Sequence, residues 1–106
     1  MHEDITEYPK GIVLGSVRLA RGNQTIDVTR LRYGSRTRFV EKVTSVGRYG
    51  PRQVALRKSD DFPSVKIANR YIVEWLTGVV ENRKYRVVHQ DPGFTAAEPH
   101  NKVAHG

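Results

Sequence analysis

The chain has 106 residues, with 18 Lys and Arg against 11 Asp and Glu, a formal net charge of +7 and a pI near 10.1. That length sets one domain with a single modest core, and a 38 % apolar content with a mean hydropathy of −0.56 sets a large polar skin over it. Cysteine is absent, which excludes a disulfide frame, a thiolate nucleophile and a cysteine-based metal site.

Residues 1–10 carry Glu3, Asp4 and Glu7 and close on Tyr8-Pro9-Lys10, which reads as a flexible acidic arm. A signal peptide would need cations there, then an apolar run, and no stretch has the length of a membrane span. The expected compartment is the cytoplasm, or a particle assembled in it, with no membrane partner. Gly11 to Ala20 is a strand candidate, with β-branched Ile12, Val13 and Val17. Gly15 inside it predicts a bulge or a close backbone approach. Arg21 to Gln24 suits a hairpin turn, because Gly and Asn tolerate positive φ.

Thr25 to Tyr33 is the second strand. Ile26 and Val28 share one face, whereas Leu31 and Tyr33 take the opposite parity. A bulge near Thr29-Arg30 would bring the apolar residues back to one face and aim Arg30 and Arg32 together away from it. Gly34-Ser35 turns the chain into Arg36 to Val46, and Gln53 to Lys58 is a fourth strand after the loop Gly47 to Pro51. Phe39, Val40, Val43 and Val46 also fit a helical stripe, but three valines and two threonines favour a strand.

Asp60-Asp61 followed by Pro63 reads as an acidic helix start. The helix is expected from Pro63 to Thr77, ended by Gly78, with Val65, Ala68, Ile72, Trp75 and Leu76 as its buried stripe. Trp75 is read as core. Tyr71 and Val73 lie off that stripe and mark a surface for a second subunit. Lys84 to Gln90 is a last strand, and 91–106, with Pro92-Gly93 and Pro99, reads as a flexible tail. The expected domain is therefore 11–90. Its predicted fold class is α+β: an antiparallel β-meander of four to five strands with one amphipathic helix packed on one face.

Function is read from the distribution of charge. Between Arg18 and Lys58 the chain holds eleven Arg and Lys against Asp27 and Glu41, while the remainder sums to −2. Arginine outnumbers lysine twelve to six, and its planar fork suits phosphate and base edges better than an ammonium does. A polyanion is the expected partner. Arg30, Arg32, Arg36 and Arg38, with Tyr33 beside them, form the leading candidate site, a grid of guanidinium groups on two hairpin-connected strands. Such a grid also resembles the charges that protect sheet edges from aggregation. Arg48, Tyr49 and Arg52, on or beside a tight loop, are the second candidate, and a plain turn is the competing explanation.

His2, His89, His100 and His105 form no metal-binding spacing, and the adjacent acids Asp60-Asp61 have a structural task. No catalytic residue, metal or cofactor is therefore expected. The leading expectation is a small non-enzymatic protein that binds RNA or single-stranded DNA through an Arg-rich sheet, as a homodimer or higher oligomer. Its layout, a basic meander followed by a helix, resembles RNA-binding shell proteins of small viruses. That resemblance implies an alternative, a viral or phage-like shell subunit with a basic inner face. A further alternative is a small inhibitor or adaptor docking on an acidic protein.

Overall fold

The computed structural model describes residues 11–95; the acidic arm 1–10, and residues 96–106 of the expected tail, lie outside the described residues. Four strands follow one another as hairpins: β1 (Ile12–Arg21), β2 (Gln24–Tyr33), β3 (Arg36–Gly47) and β4 (Gly50–Lys58). Pairing of Arg21 with Gln24, Tyr33 with Arg36 and Gly47 with Gly50 leaves two residues in each loop. Gly22 and Gly34 open the first two loops with φ of +60° and +62°, the left-handed backbone that such short connections demand. After helix α1 (Val65–Glu81), β5 (Arg86–Gln90) returns to pair with β1, giving the antiparallel order β4-β3-β2-β1-β5. The α+β meander with one α-helix is thus what the described residues form, and the third segment is a strand.

The helix departs from expectation at both ends. Its N-cap is Ser64, whose Oγ accepts the Ile67 N–H at 3.2 Å, rather than Asp60 or Asp61. A hydroxyl next to the first turn satisfies an orphan donor there. Gly78 does not stop the helix; it lies inside, and its carbonyl accepts the N–H of the C-cap Asn82 at 2.8 Å. Ala68, Ile72 and Val79 are buried, and Trp75, Leu76 and Val80 pack against the core from its margin.

The largest correction concerns β2. Its register with β3 runs unbroken from Gln24 against Ser45 to Tyr33 against Arg36, so no bulge lies at Thr29-Arg30. The irregularity is in β1, between Val13 and Gly15, at the glycine that predicted it. Side chains alternate across a strand, so Ile26, Val28, Arg30 and Arg32 face the helix while Asp27, Thr29, Leu31 and Tyr33 face away. Leu31 and Val40 are nonetheless buried on that far side, so the sheet carries apolar residues on both faces.

The helix-side core joins Val17, Leu19, Ile26, Val28, Phe39 and Val43 to Ala68, Ile72, Val79, Tyr85 and Phe94. Phe39 is its hub, with ring centroids 5.6–6.0 Å from those of Phe62, Tyr71 and Phe94. The packed body thus runs past the expected boundary at Gln90. Pro92–Phe94 forms a one-turn 3-10 helix, and a Cβ on Gly15 would stand 2.8 Å from the Phe94 nitrogen. Gly15 therefore supplies both the bulge and the close approach. Ser16 N–H and Oγ donate to the Asp91 carboxylate at 3.0 and 3.2 Å, and Asp91 N–H donates to the Ser16 carbonyl at 2.9 Å.

Candidate nucleic-acid interface

The four arginines expected to converge are divided between the two sheet faces. Arg30 is fully buried under the helix. Its Nη1 donates to Asn69 Oδ1 at 2.7 Å and to the Phe94 carbonyl at 2.9 Å. Burial lowers its pKa from the ordinary arginine value. It cannot touch a ligand in this arrangement, and Arg32, exposed two residues on, shares its side of the sheet. Arg36 and Arg38 project from the opposite face, because β3 alternates in step with β2.

That opposite face carries a coherent row of charge, with Leu31 and Val40 buried among its side chains. Arg36, Arg38 and Lys42 follow one another on β3 at two- and four-residue steps. Lys58 of β4 stands opposite Val40 and fills the missing rung. The result is a ladder of cations with one rung per ~7 Å, running for ~20 Å along the sheet. Arg18 and Arg86 add charge on β1 and β5, since they pair with Asp27 and Ala20 of the same face. On this face the strands thus present six cations and one carboxylate, Asp27, the other strand carboxylate, Glu41, lying on the helix side opposite Val28. Arg18 Nε donates to Asp27 at 2.7 Å, a bond that raises the Arg18 pKa. Asp61 accepts from Arg38 Nε at 2.7 Å; it serves as an ion-pair partner here, not as the helix cap expected of it. The Tyr33 ring stands at the Arg36 end of the ladder, against Gly11.

Arg48, Tyr49 and Arg52 do come together, but at the far end of the sheet. Tyr49 is 94 % exposed on the two-residue loop. Arg52 pairs with Ser45, whose parity is that of the helix side. With Val54 they line a shallow cleft of about 290 Å³. Six residues separate Lys42, the near end of the ladder, from Arg48, ~20 Å along a strand, and Arg52 takes the helix-side parity, so loop and ladder are separate surfaces.

Sequence reasoning missed Lys42, Lys58, Arg18 and Arg86. The parity of positions 36, 38 and 42 in one strand was signal enough for Lys42. The place of Lys58 depends on the β3–β4 register, which shifts between Val43 and Thr44. Among the described residues, no three His, Asp or Glu side chains gather as metal ligands, and no helix is long and apolar enough to cross a membrane. Comparison with protein-family models, curated proteins and solved structures finds no match for this chain.

Proposed function

We propose that this is a small non-enzymatic protein that binds RNA or single-stranded DNA across the sheet face opposite the helix. The observation that supports this most is the cation ladder Arg36, Arg38, Lys58 and Lys42 on the sheet face opposite the helix. Regularly spaced cations follow a phosphate backbone, and an open sheet lets unpaired bases lie flat beside aromatic rings. Tyr33 is the ring at hand. Polar Thr25, Thr29 and Thr44 lie on the same face and give hydroxyl partners to sugar and phosphate. The test is the salt dependence of binding to a labelled oligouridylate. Arg36→Ala with Lys42→Ala should flatten the log–log slope by about 1–1.5 and weaken binding at least tenfold. An unchanged slope in a folded double variant would overturn the reading.

A second reading, a subunit of an oligomeric shell, has its own support. β4 is a nine-residue edge strand, exposed at all but Gly50 and Ala55. On α1, Ile67 and Val73 are 48 % and 47 % exposed. Open edges and apolar helix residues are what subunits bury against each other. Size-exclusion chromatography with absorbance at 260 and 280 nm separates the cases. Nucleic acid in a monomer or dimer peak favours the binding module, and nucleic acid in a megadalton peak favours the shell.

A further inference from the structure

Arg30 is the largest fully buried side chain of the described molecule, and it is poorly provided for. Of its three nitrogens only Nη1 has acceptors. Nε and Nη2 have none among the described residues, and no carboxylate contacts the group. The Phe39 ring also faces it, 5.4 Å from Cζ to centroid. A buried cation with two idle donors is costly, since charge in low dielectric needs a counter-charge and a full set of bonds.

The helix closes one side of Arg30 through Asn69, and the segment Asp91–Phe94 closes another. This strap closes over Gly15, sets Phe94 into the core and caps one guanidinium nitrogen with its carbonyl. Its ties are few: the Asp91 bonds to Ser16, the His89 contact to the Asp91 carboxylate at 2.7 Å, and the Phe94 ring. Without the strap, Arg30 loses the Phe94 carbonyl and ring as cover, on the same side of β2 as exposed Arg32, two residues on and ~7 Å away. Asn69 of α1 remains as an amide partner beside Arg30. Two guanidinium groups and an amide around one opening are the chemistry of a phosphate site.

The geometry points to a cryptic phosphate site formed by Arg30 and Arg32, for which the Asp91–Phe94 strap is the lid. A phosphate gives Arg30 the acceptors and the charge that the closed protein withholds, so it binds the open form far better than the closed one. That difference in affinity is what moves such an equilibrium. The site lies on the helix side of the sheet, so it stands independently of the open-face reading.

Inorganic pyrophosphate is the probe. Amide hydrogen exchange in the full chain should show protection at Asp91–Thr95 falling at least tenfold as pyrophosphate is added, with α1 and β2 unchanged. The Arg30 Nε–H resonance should shift over the same titration. Phe94→Ala should tighten pyrophosphate binding severalfold, and adding Arg30→Met to it should abolish the gain. Unchanged or increased strap protection in the parent protein, or a gain that survives Arg30→Met, would overturn the proposal. The parent measurement needs no variant to fold. Pyrophosphate-driven opening without oligouridylate binding leaves the lid standing and sinks the nucleic-acid reading; oligouridylate binding with a strap that pyrophosphate does not loosen does the reverse.

Discussion

Arg30 and Arg38 stand one register step apart on neighbouring strands, Arg30 opposite Phe39 and Arg38 opposite Leu31, yet they live in different media. On the helix side the guanidinium is enclosed by Phe39, Phe94 and Asn69 and has lost water on every side. On the open side its counterpart is about one-third exposed and is answered by Asp61 at 2.7 Å. The same chemical group is a structural burden on one face and a usable charge on the other. The alternation of a strand, two residues per repeat, decides which. Net charge alone would have counted the two as equals.

The contrast is most severely tested by deleting comparable bulk from each face. Phe39→Ala removes the hub of four aromatic rings and should cost ~3–5 kcal/mol, a large share of the ~5–15 kcal/mol available to a domain of this kind. Lys42→Ala, on the open face, should stay within ~0.5 kcal/mol. Urea denaturation measures both, and equal losses would mean that the open face is packed against something in solution.

A smaller effect is expected at the margin between helix and core. Trp75 is only half-buried, so Trp75→Ala should cost ~2 kcal/mol, below the ~3–5 kcal/mol of a fully buried ring. A loss as large as that of Phe39 would show the indole enclosed in solution, for which a subunit contact beside Tyr71 is the nearest cause. Concentration-dependent melting would identify it.

The mildest test is acid. The His89 contact, then the Ser16 N–H, hold the Asp91 carboxyl below its ordinary value. A depressed carboxylate contributes fully above the unfolded value near 3.8 and loses that contribution as pH falls through the lower folded value. The Phe94 ring resonances should therefore broaden in that acidic window while Phe39 keeps its shifts. Asp91→Asn should flatten the response; a pH-independent Phe94 in the parent chain would show that the strap is held by its ring alone.

Much of the architecture was legible because β-branched runs separated by Gly-containing turns leave few alternatives to a meander. The segment Arg36–Gly47 was ambiguous in apolar period and unambiguous in composition. The faces were not legible. Ile26 and Val28 conflict in parity with Leu31 and Tyr33, and the economical resolution was a bulge that collects apolar residues on one side. The protein keeps β2 regular, buries Leu31 on the far face, and places an arginine in its core instead. Gly15, across from Arg30, held the clue, but nothing local says which strand of a pair takes the extra residue. Phe94 was invisible for a different reason. It is a lone apolar residue after Pro92-Gly93, with no period to mark it, and its value comes from a glycine 79 positions earlier in the chain.

The lid and the group it covers are also far apart in time. Phe94 follows Arg30 by 64 residues, which at ~5–20 residues per second is ~3–13 s of synthesis. Hairpins close within ~10 μs, so the meander has ample time to form on the ribosome while its central guanidinium is still without a roof. During those seconds the nascent chain stands beside a particle made largely of RNA. A newborn molecule therefore passes through an arrangement without the strap before it can reach the closed one. The closed protein is a later state, reached only when the last strand and the strap have been made.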